Sequence, residues 1–275
     1  MKSNKLKKWL AAPYAVWAVG FIIIPLILIL YYAFTGEEGG FTLSNFAYVA
    51  TKENIKALGL ALWLSLLSTV LCLVLAYPLA MILANRNVNQ TSFIVLIFIL
   101  PMWMNFLLRT YSWKFLLERH GLINTLLGLL GLGPFQMIDT QGAIVLGMVY
   151  NFLPYMVLPI FSVIEKIDPK VIEAAQDLGA DSITVFRRVI LPLSLPGVLS
   201  GITMVFIPSV STFAISRLLG GSKTLLLGNL IDMQFLGSAY NPHLGSAISL
   251  VMMVIVMVCM AVMNHFGDGE EGVTL

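Results

Sequence analysis

Charge is scarce in this chain. Of its 275 residues only 11% are Asp, Glu, Lys or Arg, 59% are hydrophobic, and the mean hydropathy is +0.91. Soluble domains carry about 25% charged residues, so a water-facing surface cannot be assembled from this inventory, and soluble enzymes and nucleic-acid binders are excluded. The 16 basic and 14 acidic residues leave a formal charge of +2, too small to attract polyanions over distance. Cysteine is nearly absent: Cys72 and Cys259 lie inside apolar runs, where a thiol serves as a small hydrophobe and no disulfide framework is built. His120, His243 and His265 are scattered near the ends of apolar runs, and no H-E-x-x-H occurs, which leaves an intramembrane metalloenzyme without support. A G-x-x-x-x-G-K-S/T nucleotide loop is also missing, so any ATP hydrolysis linked to this chain comes from another polypeptide.

What is abundant is long apolar sequence. A bilayer core of about 30 Å needs roughly 20 apolar residues per helix, and six runs qualify: Pro13 to Phe34, Ala57 to Ala84, Phe93 to Trp113, Ala143 to Ile164, Pro192 to Ile215 and Leu244 to His265. Five contain no charged residue and the third contains only Arg109, as expected of helices whose backbone bonds close internally. The pattern predicts an all-α polytopic membrane protein with six transmembrane helices. The first run follows Lys2, Lys5, Lys7 and Lys8 but is about twice a signal-peptide core in length and lacks an A-x-A-like site, so it reads as a retained helix. Those lysines favour a cytoplasmic N-terminus, and six crossings then put both termini in the cytoplasm. Arg86, Lys166, Lys170, Arg187 and Arg188 fall on the same side.

Pro25, Pro78, Pro101, Pro154, Pro159, Pro192, Pro196 and Pro208 sit in or at the edges of these runs, where each removes a donor and bends a helix. Gly197 with Gly201, and Ala76, Ala80 and Ala84, repeat small residues every fourth position, a signal for close helix contact. Leu122 to Leu132 and Leu225 to Leu236 are apolar but too short to span, and read as helices at the outer interface.

The longest polar stretch on the inner side, Glu165 to Arg188, is strongly punctuated. Asp168 suits a helix N-cap, Pro169 the first helical position, and Gly179 the left-handed residue that ends a helix, so a helix is expected from Pro169 to Leu178. Val171, Ala174, Ala175 and Leu178 share one side of it, and Lys170, Glu173 and Asp177 the other. Asp181 or Ser182 caps a second helical turn, Ile183 to Ile190, leading into Pro192. Such a loop also suits a headgroup surface, but its balanced charge and small-residued apolar face favour a groove in a protein partner.

The string Glu173-Ala174-Ala175, three residues, Gly179, nine residues, Val189-Ile190-Leu191-Pro192 resembles the EAA loop of ATP-binding-cassette importer permeases, E-A-A-x3-G-x9-I-x-L-P, with Val189 where isoleucine is usual. Leu100-Pro101-Met102-Trp103 with Asn105, Arg109, Tyr111 and Trp113, and Gly220-Gly221-Ser222-Lys223 followed by Leu227-Gly228-Asn229 and Gln234-Phe235, are similar to the spermidine/putrescine branch of that family. The resemblance implies a type I ABC importer permease (MetI-like) fold. An N-terminal tail, first helix and outer loop would occupy 1–56, the transmembrane core 57–266 with the coupling loop at 165–192, and a short tail 267–275. It further implies a bacterial inner-membrane subunit that is not itself an enzyme. The partners implied are an ATPase subunit dimer holding ATP and magnesium, a second related permease subunit and an extracytoplasmic polyamine-binding protein, with the bilayer around them and no nucleic acid. ATPase coupling would rest on Glu173, Ala174, Ala175 and Gly179, and the chain itself would carry no cofactor or metal. Thiamine, iron or a phosphonate are alternative cargoes, because the EAA loop reports only the engine.

A polyamine is a flexible polycation, which calls for carbonyls, carboxylates or aromatic faces, each cation–π contact contributing about 0.5 to 2 kcal/mol. No span holds a carboxylate at its middle, so carboxylates are expected from the second permease. Trp103, Asn105, Tyr150 and Asn151 are the candidates for lining the pathway, although Trp and Tyr also gather at bilayer interfaces in any membrane protein. Arg109 is expected to reach the outer surface or to pair with a carboxylate. Arg217 stands where members of this family often carry an acid.

Overall fold

The computed structural model describes residues 13–84, 100–221, 224–237 and 239–267. The N-terminal lysines, Arg86, Ser222, Lys223, the first part of the third expected span and residues 268–275 lie outside the described residues, as do the side chains of 264–267. Every described element of four or more residues is helical: α1 Pro13–Ala33, α2 Ser44–Val49, α3 Lys52–Ala84, α4 Phe106–Leu117, α5 Leu122–Leu129, α6 Gln141–Ile164, α7 Pro169–Asp177, α8 Ser182–Ser211, α9 Ala214–Leu219, α10 Leu227–Phe235 and α11 Pro242–Gly267. Five of these, α1, α3, α6, α8 and α11, are long and apolar enough to cross a membrane.

The third expected span departs from the reading of one unbroken helix. Residues 100–103 are helical, the chain then leaves the helix at Met104 and Asn105, and α4 starts afresh. Asn105 drives the break: its Oδ1 accepts from the backbone of Leu107 at 2.9 Å and Leu108 at 3.3 Å, the side-chain cap that Asn makes at a helix start. The fifth expected span likewise stops early, at Ser211, because Thr212 is extended, and the chain turns into the short α9. Two longer helices contain a π turn, Val19–Ile23 in α1 and Phe186–Ile190 in α8.

The chain forms two compact units. The smaller, Met1–Lys56 with Leu230–Ile255, joins the C-terminal end of α1 to the start of α11. There, His243 Nδ1 donates to the Tyr32 carbonyl at 3.1 Å, its ring meets Tyr32 edge-on at 5.3 Å, and Asn241 Nδ2 donates to Glu37 Oε1 at 3.0 Å.

The larger unit, Ala57–Asn229 with Val256–Leu275, holds the EAA-like loop and all the pathway candidates. Its core is built where α6 packs on α8 and α9, from Ile144, Met148, Met156, Val157, Ile160, Val205, Ile215 and Leu219, all essentially enclosed. Small residues set the approach. A Cβ on Gly197 would stand 2.8 Å from the Pro159 carbonyl, and one on Gly201 2.7 Å from Met156 Sδ, so the expected glycine pair is where α8 and α6 come closest. Ala76 and Ala80 of α3 are fully buried. Pro154 and Pro159 lie inside α6, Pro196 and Pro208 inside α8.

Candidate functional site

The EAA-like loop between α6 and α8 folds by its own punctuation. Asp168 Oδ1 accepts from the Lys170 backbone at 3.0 Å, Pro169 takes the first helical position, and Gly179 ends α7 at φ +84°. Around that glycine two bonds close the helix end: Gly179 N–H donates to the Gln176 carbonyl at 2.8 Å and Ala180 N–H to the Ala175 carbonyl at 3.1 Å. This is the paired Schellman closure that a left-handed residue makes possible. Asp181 then caps α8, its Oδ1 accepting from Thr184 N–H at 3.1 Å, and the Thr184 hydroxyl, followed by that backbone bond, holds its carboxyl below its ordinary value.

The base of the loop is anchored in the bundle. Val185 is buried, Phe186 meets Tyr77 of α3 edge-on at 5.6 Å, and the Tyr77 hydroxyl lies 2.6 Å from Ser194 Oγ on α8. Above this base α7 is uncovered. Glu173, Ala174 and Gly179 are exposed and Ala175 is half-buried. Val171, Leu178 and Ile183 present apolar surface, Leu178 at 90% exposure. The loop is thus a capped helix with an open apolar side, standing on a fixed base.

At the other end of α8 a polar staple organises the return of the chain. Asn229 Oδ1 accepts from Ser216 Oγ at 2.5 Å and from Leu226 N–H at 3.2 Å, and its Nδ2 donates to the Phe213 carbonyl at 3.1 Å. One buried amide thus binds the end of α8, the start of α9 and the start of α10. Gly228 lets this fit, since a Cβ there would stand 2.9 Å from the carbonyls of Ser211 and Thr212. Gly147 gives α9 its seat on α6, where a Cβ would collide with Leu219 and Ile215. Asp139 takes a left-handed φ of 62° and donates its N–H to the Leu219 carbonyl at 2.8 Å, tying the segment before α6 to the end of α9.

The four pathway candidates fall into two kinds. Trp103, 76% exposed, and the exposed Asn105 sit together at the break before α4, and Asn105 spends its Oδ1 on the helix cap. Tyr150 is partly open and meets Trp113 edge-on at 5.4 Å. Asn151, only 1% exposed, is turned into the packing of α6 on α4. Its Nδ2 donates to the Gly147 carbonyl at 2.9 Å and reaches Thr110 Oγ1 at 3.5 Å, while its buried Oδ1 has no hydrogen-bond partner among the described residues. Arg109 reaches neither the surface nor a carboxylate: it is 5% exposed, and its Nε and Nη1 have no hydrogen-bond partner among the described residues. The Asn229 staple and the α4 break were not anticipated from the sequence. The only signals for them were single asparagines inside apolar stretches.

The family described as "Binding-protein-dependent transport system inner membrane component" matches residues 9–268. The chain is 37% identical over 265 residues to the spermidine/putrescine transport system permease protein PotB of Haemophilus influenzae, spanning 92% of this chain and 91% of that protein. It is 36% identical over 247 residues to PotB of Escherichia coli, spanning 87% and 90%. Among solved structures it is similar to a bacterial ABC transporter that imports alginate, with a TM-score of 0.85 and 18% identity over 100% of this chain and 98% of that one. It is also similar to inward-facing MetNI methionine ABC transporter, with a TM-score of 0.58 and 18% identity over 78% and 94%. At that identity the two structures bear on the fold alone.

Proposed function

The chain belongs to the family of binding-protein-dependent transport system inner membrane components, and from that premise we propose that it is the permease subunit of an ATP-driven polyamine importer. It pairs with a second, related permease to enclose the pathway, receives spermidine or putrescine from an extracytoplasmic binding protein, and is driven by an ATPase dimer that holds the ATP and magnesium. Both termini lie in the cytoplasm. The observation that carries the cargo is the identity of more than a third, spread over nine-tenths of the chain, with permeases named for spermidine and putrescine. The cytoplasmic knob supports the drive: α7, with Glu173, Ala174, Ala175 and the turn at Gly179, enters a groove of the ATPase through its open small-residued side. Trp103, Asn105 and Tyr150 are the groups of this chain that meet the ammonium groups of the cargo, through ring faces and an amide rather than a fixed carboxylate. A path must release what it binds, and neutral contacts serve that better than an acidic trap.

Reconstitution tests this directly. With the second permease, the ATPase and the binding protein in liposomes, labelled spermidine and putrescine should accumulate only with ATP, and each should compete with the other. Uptake without the ATPase, or competition by thiamine, iron or a phosphonate in place of polyamines, would refute the reading.

A further inference from the structure

Arg187 and Arg188, at the base of the EAA-like loop, are the unanswered charges of α8. They stand on the π turn Phe186–Ile190. The residues just before them turn inward, with Val185 buried and Phe186 against Tyr77 of α3. Both arginines are exposed, and neither guanidinium has a hydrogen-bond or ion-pair partner among the described residues. The acids of the loop are engaged elsewhere or stand apart. Asp168 and Asp181 each accept a backbone N–H at a helix start, while Glu165 at the end of α6 and Glu173 and Asp177 of α7 form no ion pair with the arginines. α8 itself and the stretch of α3 from Val70 to Ala84 contain no Asp or Glu.

Depth decides what these charges can meet. From Pro192 to Ser211 α8 carries no charged residue, a length of about 30 Å that fills a hydrocarbon core. Arg188 stands four residues before Pro192, about 6 Å beyond the edge of that core, and the headgroup layer is roughly 5–7 Å deep. Both guanidiniums are thus at the level of lipid phosphates, and the exposed Pro192 and Leu193 continue the rod into the acyl region. A guanidinium donates two parallel N–H bonds to phosphate oxygens, so two of them on one turn suit an anionic phosphodiester. α7 differs, because Lys170 is outnumbered there by Glu173 and Asp177 and no positive excess remains to hold such a group.

We propose that Arg187 and Arg188 form a site for an anionic phospholipid headgroup of the inner leaflet, which pins the base of the loop to the membrane surface. The leaflet rests on the orientation given under the proposed function. The test uses the assembled importer in phosphatidylcholine liposomes that contain a phosphatidylglycerol probe with a photoreactive group beside its phosphate, and crosslinks are mapped along this chain by mass spectrometry. Residues 182–193 should be labelled in the wild type and tenfold or more weakly when Arg187→Gln and Arg188→Gln are combined. Arg187→Lys with Arg188→Lys should keep much of the label, and a phosphatidylcholine probe should leave the segment unlabelled. Undiminished label in the paired Gln variant would overturn the proposal, as would equal labelling by the two probes or displacement of the label by inorganic phosphate. Loss of the ATPase from the paired Gln variant in phosphatidylcholine alone would also overturn it, by assigning the arginines to that partner. If the paired variant fails to reach the membrane, Arg187→Gln and Arg188→Gln are read singly, and unchanged label in both refutes the site. Labelling is read without cargo or ATP, so a wild-type importer that takes up no polyamine would defeat the proposed function and leave this result standing.

Discussion

Substituting Gly179 separates backbone conformation from space at the tip of the inner loop. The residue sits at φ +84°, and a Cβ built there meets nothing within 4 Å, so a side chain has room and only the left-handed backbone resists it. For an ordinary L-residue that conformation costs roughly 1–2 kcal/mol. At about 1.4 kcal/mol per factor of ten, Gly179→Ala lowers the population of the closed loop end by roughly five- to thirtyfold relative to relaxed alternatives. Gly179→Asn is the informative control, because asparagine is larger than alanine yet visits the left-handed region readily. Gly179→Val, β-branched, is the worst case. In reconstituted importer, ATP-dependent uptake should therefore rank Gly, Asn, Ala, Val, with membrane levels of the chain unchanged and ATP hydrolysis surviving uptake in the weaker variants. Equal uptake by Ala and Gly, or Asn performing below Ala, would show that the turn's backbone is not what couples the loop.

The two α8 glycines should respond unequally to alanine. Gly197→Ala meets the Pro159 carbonyl, which is backbone and cannot step aside, whereas Gly201→Ala meets chiefly the sulfur of Met156, a flexible tip. Overpacking at Gly197 should cost about 1–3 kcal/mol, and thermal unfolding of the purified complex should show a larger drop there than at Gly201. Asn229→Ala removes three bonds from a buried site and leaves partners unpaired at about 1–3 kcal/mol. Limited proteolysis should then open residues 212–226 before the rest of the chain. The cap at Asp181 has a lowered carboxyl pKa, so its contribution is complete above the ordinary aspartate value and is lost only as pH falls through the lower folded one. Asp181→Asn should leave the pH profile of uptake unchanged between about pH 5 and 8, and a new pH dependence there would contradict the assignment.

The inner loop was legible in the sequence because it is made of local interactions. Asp168, Pro169, Gly179 and Asp181 each act on backbone within a few residues, and the structure puts them in the capping and turn geometry that their types favour. The span positions were legible for the same kind of reason, since length and hydropathy suffice. What escaped was decided by tertiary contact. Nothing near Arg109 in the chain foretells its enclosure, on a helix that packs against α5, α6 and α9. The ends of α4 and α8 were hidden because hydropathy does not change there: Met104 and Phe213 are as apolar as their neighbours, and only Asn105 and the distant Asn229 redirect the backbone. The π turn at Phe186–Ile190 has no composition of its own and falls where Phe186 meets Tyr77 of α3.

The two ends of α8 divide the labour that the proposed function requires. From the Asp181 cap to Ser211 the helix runs unbroken through its π turn for 30 residues, about 45 Å, so no flexible joint separates the knob from the staple. A push on α7 therefore has to move the rod as a whole or bend it at Pro196 and Pro208, where backbone bonds are already missing. At the inner end the motion is resisted by the single side-chain bond between Tyr77 and Ser194 and an edge-on ring contact. At the outer end Asn229 gathers three segments through three bonds and a glycine that admits no side chain. On the proposed function, the end of α8 held by the Asn229 staple is the pivot of that motion. Coupling, on that same function, belongs to the part of α8 next to α7, and choice of cargo to α4 and α6, where Trp103, Asn105 and Tyr150 stand open while Asn151 and Arg109 are enclosed.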